Sequence, residues 1–229
     1  MKKTNRRNFL TSSAIVAGGL MASSCKPGAT EPTIKSPLLT NNGHIVGHGD
    51  FKYKVDKQWA VQDAGQYPVH HCHEMVMDKK GRLIMCTTDV KNNILVFDKS
   101  GKVLDAWGHD FPGAHGLTIN DEGGTEYLYL TDTVKRQVYK LTMDGKVLLT
   151  IDYPRDSGVY ENAEAFEPTE TIITSTGDIL VADGYGSDYI IRYDQQGNYL
   201  NHFAGKGDEE GQVQNAHGIC IDERSGTPS

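Results

Sequence analysis

The phrase AHGLTIND at residues 114–121 is written a second time as AHGICIDE at 216–223. An isolated strand needs neither the histidine nor the glycine, so the duplication constrains the fold more than any other feature. Aligned from residues near 72, 114, 167 and 216, four segments share one outline. They begin CHEMVMDKKGRLIMCTTD, AHGLTINDEGGTEYLYLTD, EPTETIITSTGDILVADG and AHGICIDERSG. Each full copy holds four short, apolar-alternating runs separated by turns such as DKSG, MDGK and DQQG. Such runs, bounded by Gly, Asp and Asn, are antiparallel strands. Four strands in a period of roughly 40 to 55 residues are one blade of a β-propeller.

Blade strands run outward from a central axis, so the first strand of each unit lines the channel and its leading residue faces the mouth. Those leading residues are His73, His115, Thr169 and His217. The glycine after the histidine lets backbones approach closely near the axis. The alternating Leu117, Ile119, Ile219 and Ile221 are expected to pack between blades. The chain carries three complete blades and the start of a fourth, whereas closed propellers have about four to eight. Residues 50–60 (DFKYKVDKQWA) read as an extra outer strand that would complete the last blade of a ring. The expectation is an all-β propeller, incomplete at its C-terminus, with an exposed inter-blade face.

Composition limits the partners. A net charge of −7, with no basic cluster in the body of the chain, argues against nucleic acid and anionic membrane surfaces. Hydrophobic residues make up 38% and glycines number 25, which suits many short strands better than a helical bundle. Residues 1–25 (MKKTNRRNFLTSSAIVAGGLMASSC) have the basic start, apolar stretch and small-residue end of an export signal, too short to span a membrane. Arg6-Arg7 followed by Asn8-Phe9-Leu10 has the twin-arginine pattern, and Ala22-Ser23-Ser24-Cys25 has the outline of an imperfect lipobox. Cys25 is thus a candidate lipid-bearing residue and membrane tether, and the protein is expected to be periplasmic or envelope-associated. Residues 26–48, rich in Pro, Gly, Thr and Asn, read as a flexible tether, and 49–229 as the propeller domain. Cys72, Cys86 and Cys220 allow one bridge at most, with Cys72 and Cys86 flanking one hairpin.

The units resemble NHL repeats, which build six-bladed propellers, and beyond that the peptidyl-α-hydroxyglycine α-amidating lyases. The resemblance covers roughly residues 69–222. It is carried by AHGLTIND with LTDTVKRQVYKL (130–141), by EPTETII (167–173) with VADGYGSDYI (181–190), and by NAHGICID (215–222). It implies His115 and His217 as zinc ligands and Tyr185 as the catalytic tyrosine. It also implies a structural calcium held partly by backbone carbonyls, for which Leu117 and Met75 stand in place. The substrate it implies is a hydroxyglycine-extended peptide, bound in the central channel and cleaved to glyoxylate and a peptide amide. Three features depart from it. The family's third zinc histidine belongs to a later blade. Its arginine after the second strand of the first blade is replaced by CTTDVKNN, with Thr88 or Asp89 at the position. Two cysteines bridged in the animal enzymes are Phe166 and Gly186 here.

Zinc needs three or four converging donors, with one position kept open for catalysis. Histidines this far apart converge only in a radial fold, where His73, His115 and His217 could form a set of their own. The alternative is that they bond to nearby backbone and water. His70 and His71 would either supply an alternative donor or sit in the entry loop, the reading preferred here, and Asp132 and Asp183 read as turn-stabilising carboxylates. Tyr185, after a strand-ending Asp-Gly, would either cap a β-turn or, as the resemblance implies, act as a base near a divalent cation. The functional alternative is a non-catalytic envelope propeller that binds protein or glycan. A lactonase-type propeller with calcium-bound carboxylates is disfavoured by His and Thr at the leading positions.

Overall fold

Each complete repeat forms one four-stranded antiparallel sheet in the computed structural model, which describes residues 43–60 and 62–222. The export segment, Cys25, the tether up to residue 42, and 223–229 lie outside the described residues. The chain divides into two compact units after Val55. The first holds a hairpin of β1 (Ile45–His48) and β2 (Phe51–Lys54). The segment expected as an outer strand therefore is a strand, but its partner is the neighbouring residues 45–48. A local hairpin costs little loop-closure entropy, so this pairing needs no distant blade. It also makes 45–48 ordered strand rather than tether.

In the second unit the first blade comprises β3 (Cys72–Met77), β4 (Leu83–Thr87), β5 (Ile94–Phe97) and β6 (Val103–Trp107). The second comprises β7 (Ala114–Glu122), β8 (Thr125–Asp132), β9 (Gln137–Thr142) and β10 (Val147–Ile151). The third comprises β11 (Glu170–Ile173), β12 (Ile179–Ala182), β13 (Tyr189–Tyr193) and β14 (Tyr199–Ala204). Strand order follows chain order in every blade, and the inner strands β3, β7 and β11 lie side by side.

Period-two alternation sorts side chains between two cores. Leu128, Leu130, Tyr139 and Leu141 of the second blade pack against Ile84, Cys86, Ile94 and Val96 of the first. On the other face, Tyr129, Val138 and Ile151 meet Ile179, Val181, Ile191 and Tyr193 of the third. The outward faces of the first and third blades bear the exposed surface expected from an open ring. Met75 and Met77 are 40% and 58% exposed on β3, and Phe203 is 51% exposed on β14.

The glycine expectation holds once. A Cβ on Gly116 would sit 2.4 Å from the Thr169 carbonyl oxygen and 2.8 Å from the Glu170 Cα, so β7 and β11 can touch only through glycine. A Cβ on Gly218 would meet nothing within 4 Å. Residues 216–222 form no strand, because no described segment offers them a ladder partner. Ile219 and Ile221 are accordingly only half-buried and lie outside both cores. The bridge between Cys72 and Cys86 is absent, and both are free thiols. Register places Cys72 opposite Thr87, so Cys86, one residue along, points to the other face of the sheet. There its Sγ lies 3.1 Å from the His115 carbonyl oxygen, and burial pushes the thiol up to about 12.

Asn93, fully buried where the first blade turns toward the second, joins them through its amide. Its Nδ2 donates to the carbonyls of Thr87 (3.0 Å) and Phe111 (2.8 Å), and its Oδ1 accepts the Phe111 N–H (3.0 Å). Asn93→Ala strands these buried groups and should cost about 3 kcal/mol, since each orphan costs about 1–3 kcal/mol. Urea unfolding measures this directly, and a loss within about 0.5 kcal/mol, as for a surface substitution, would refute the role.

Candidate functional site

Antiparallel order puts the start of each inner strand at the same end as the turns after the second strands. That end carries residues 88–93, 133–136 and 183–188 together with His73, His115 and Thr169. His217 reaches it from the 216–222 segment. The rings of His73 and His115 stack at 4.0 Å with an interplanar angle of 26°. His115 and His217 lie 5.5 Å apart, and the Tyr185 ring is 5.2 Å from His115 and 4.5 Å from His217. The four residues named from the sequence thus form one cluster drawn from all four repeats.

The tautomer of His115 follows from its partners. Its Nδ1 lies 2.9 Å from the Thr169 carbonyl oxygen, which can only accept, so Nδ1 carries the proton and Nε2 the lone pair. Tyr185 donates its hydroxyl to that Nε2 at 3.3 Å. His217 repeats the pattern with Nδ1 2.8 Å from the Asn215 carbonyl oxygen, again leaving Nε2 as the free donor. A backbone carbonyl that fixes one ring nitrogen is the usual support of a metal-binding histidine. Burial, followed by the charges of His71 and His217, holds His73 below the usual imidazole range. Burial also lowers His115; its bond to Thr169 opposes this, and His73 and His217 add to it. Both are therefore neutral, the form that binds zinc. Among the described residues no three His, Cys, Asp or Glu side chains converge at ligand distance as they stand, because His73 lies flat against His115. The donor chemistry of His115 and His217 fits zinc. His73, exposed at the mouth, would turn off the stack to join them.

Three loop residues do more than the sequence reading gave them. His71, assigned to the loop, has φ of 45° and brings its ring to 6.2 Å from His73, stacked at 23°. It is a fifth member of the cluster, and no pattern in the sequence marks a non-glycine residue for the left-handed region. Thr88 and Asp89, at the place of the implied arginine, pin the loop instead. The Thr88 Oγ1 donates to the His70 carbonyl at 2.9 Å and lies 3.3 Å from its Nδ1, while Asp89 accepts the Lys91 N–H at 2.9 Å. Asp132 is the turn carboxylate expected, accepting the N–H groups of Val134 (2.9 Å) and Lys135 (2.8 Å).

Sequence reasoning also missed the carboxylates below the histidines. Glu74 and Glu170 follow His73 and Thr169 directly, and Glu170 Oε1 accepts the Thr171 N–H at 2.8 Å and the Thr118 hydroxyl at 3.2 Å. They line a cavity of about 350 Å³ with Leu117, Ile172, His217 and Ile219. Burial first, then the neighbouring Glu74, pushes Glu170 up to about 8, so Glu170 holds its proton at neutral pH. A charged residue inside an apolar-alternating inner strand (EPTETII) was the available signal. A larger cavity of about 560 Å³ lies at the far end, between the β7–β8 and β11–β12 turns. Its charged groups are paired, Glu122 with Lys140 and Asp121 with Lys79, so the chemistry belongs to the histidine end.

The chain matches curated amidating enzymes along most of its length. It is 31% identical over 164 residues to a probable peptidyl-alpha-hydroxyglycine alpha-amidating lyase of Caenorhabditis elegans, covering 71% of this chain and 41% of that one. It is 32% identical over 184 residues to peptidyl-alpha-hydroxyglycine alpha-amidating lyase 2 of Drosophila melanogaster, covering 76% and 43%. Peptidylglycine alpha-amidating monooxygenase of Rattus norvegicus is 26% identical over 191 residues, 79% of this chain and 17% of that one. The chain thus spans less than half the length of these relatives. Among solved structures, virginiamycin B lyase from Staphylococcus aureus aligns with a TM-score of 0.45 at 14% identity, over 66% of this chain and 44% of that one. No family model matches the chain.

The carboxylate pair gives the site a pH signature. Glu170 holds its proton more tightly when folded (about 8) than at its ordinary 4.5, so its contribution to stability is complete below about 4.5 and is lost as pH rises through about 8. Asp183, raised to about 6, changes earlier with the same sign, and the lowered histidines act in the opposite sense only below about 6.5. Between pH 6.5 and 8 the melting temperature should fall, and Glu170→Gln should flatten that fall. A flat profile in the parent chain over this window would contradict a protonated Glu170.

Proposed function

We propose that this propeller performs the chemistry of a peptidyl-α-hydroxyglycine α-amidating lyase: it cleaves a hydroxyglycine-extended peptide to glyoxylate and a peptide amide, with zinc at its histidine mouth. The observation that carries the reading is the meeting of His115, His217 and Tyr185, from three separate repeats, within 4.5–5.5 Å. The similarity to lyases supports the reaction class.

His73, His115 and His217 would hold the metal through their neutral imidazoles. Zinc bound there would supply Lewis-acid polarisation of the substrate hydroxyl, lowering the cost of removing its proton. Tyr185, 47% exposed and facing that mouth, would take the hydroxyl proton as a phenolate, the form that a neighbouring bound cation favours. As the carbon–oxygen bond becomes a carbonyl, the carbon–nitrogen bond breaks with its electron pair on nitrogen. The proton held by Tyr185 then passes to that nitrogen, giving the amide and regenerating the phenolate. In the metal-free chain His115 Nε2 accepts the Tyr185 hydroxyl, so the phenol already stands beside the position that zinc would take. Calcium, in the same reading, would be held by the carbonyls of Met75 and Leu117, beside the channel carboxylates Glu74 and Glu170. The Arg6-Arg7 segment and Cys25 make the protein an exported, envelope-tethered one.

His115→Ala and His217→Ala should each lose stoichiometric zinc, read by elemental analysis of the purified chain. Tyr185→Phe should keep the zinc and lose glyoxylate release from a hydroxyglycine peptide by about a hundredfold or more, the range of a lost general base. Zinc retained in both histidine variants would sink the metal assignment. Zinc without glyoxylate release in the parent would sink the substrate, and neither zinc nor glyoxylate would favour a propeller that binds protein or glycan.

A further inference from the structure

The connection between the second and third blades, residues 152–169, is much longer than that between the first and second, residues 108–113. It crosses the histidine end and places Tyr160 in the interior, 8% exposed, with its ring 5.6 Å from Phe166 and 6.0 Å from Tyr189. The Tyr160 hydroxyl donates to the fully buried Asp183 Oδ2 at 2.7 Å. The same carboxylate accepts the Glu167 N–H at 2.6 Å and the Ser187 N–H at 2.7 Å. Burial pushes Asp183 up to about 6, so at neutral pH it is ionised and accepts all three. Arg136 holds the other side of the connection, donating to the carbonyls of Glu164 (2.6 Å) and Phe166 (3.0 Å).

Asp183 begins the turn that presents Tyr185, and the far end of that turn holds His217. Asp188, buried with φ of 60°, accepts the Ala216 N–H at 3.2 Å, and the Thr169 Oγ1 donates to the Ala216 carbonyl at 2.6 Å. A Cβ on Gly184 would lie 1.9 Å from that same carbonyl oxygen, so the turn and the 216 segment are in contact. We infer that Tyr160 and Asp183 are positioning residues for Tyr185: their hydrogen bond clamps the long connection to the 183–188 turn and fixes where the Tyr185 phenol stands relative to His115 and His217. The inference rests on reading Tyr185 as the base. The clamp is a property of this chain's connection, since Tyr160 belongs to no repeat, and the implied cysteine positions nearby are Phe166 and Gly186.

Asp132 shows what a turn of this kind is without the clamp. It occupies the equivalent place in the second blade, takes its two turn N–H groups, and leaves Oδ2 with no partner. The Asp183 carboxylate therefore does more than the turn requires, and the additional bond comes from the connection.

The test uses the full chain labelled with 3-fluorotyrosine, with the Tyr185 fluorine resonance identified by its loss in Tyr185→Phe. Tyr160→Phe keeps the ring packing and removes only the hydroxyl, so it should shift or broaden the Tyr185 resonance while cooperative unfolding persists. Tyr193→Phe is the control, because that buried hydroxyl has no partner and its removal should leave the resonance in place. An unmoved Tyr185 resonance in folded Tyr160→Phe overturns the inference. Should that variant fail to fold, hydrogen exchange in the unmodified chain decides: the Glu167 and Ser187 amides should be protected, and solvent-rate exchange of both overturns the clamp. In a glyoxylate assay Tyr160→Phe should lower kcat about tenfold or more with KM within about twofold, the pattern of a misplaced catalytic group. A raised KM with unchanged kcat counts against it. A parent chain that releases no glyoxylate removes the lyase reading alone, and the resonance and exchange results still decide the clamp.

Discussion

Everything at the histidine end depends on the close approach of inner strands at the axis. β7 and β11 touch at Gly116, where even one methyl group would collide with the Thr169 carbonyl. The contact lets the His115 Nδ1 reach that carbonyl and lets Thr131 bridge the two strands, accepting the Gly116 N–H at 2.7 Å and donating to Thr169 at 3.2 Å. The glycine is thus the condition for the tautomer of the histidine before it. The doubled small-His-Gly phrase writes packing and chemistry in adjacent residues.

Around this contact two buried polar side chains tie neighbouring parts of the fold together. Asn93 ties the first blade to the second, Asp183 ties the third to the connection before it, and each makes three or more hydrogen bonds. Such groups are costly unless satisfied, and once satisfied they fix one arrangement of blades and loops. Apolar clusters between blades supply the driving force but little angular precision, since packing tolerates small slides. The polar ties set where the loops at the mouth stop, and therefore where Tyr185 and His217 stand.

Much of this was legible in the sequence, for physical reasons. Period-two alternation and Asp/Gly turns mark each strand, so the three blades lie where the repeats place them. The leading residues His73, His115, Thr169 and His217 meet because equivalent positions in a radial fold must. What escaped was whatever lacks a period. Tyr160 sits in a connection with no alternation, and its partner Asp183 looked like an ordinary turn residue. His71 joins the cluster only through a left-handed backbone that its side chain does not announce. Glu170 was in plain view within EPTETII, but the count of leading positions passed over the residue beside each one. The second glycine was over-read: Gly218 has the phrase of Gly116 without the neighbouring strand that gives the phrase its purpose.

The central claim is that histidines from separate blades share one metal ion. X-ray absorption at the zinc edge of the zinc-loaded chain reports the ligands directly, because imidazole rings leave a multiple-scattering signature and nitrogen donors sit at about 2.0–2.1 Å. The account expects three imidazoles around that zinc. Zinc coordinated through sulfur, or by oxygen donors without imidazole scattering, would contradict it.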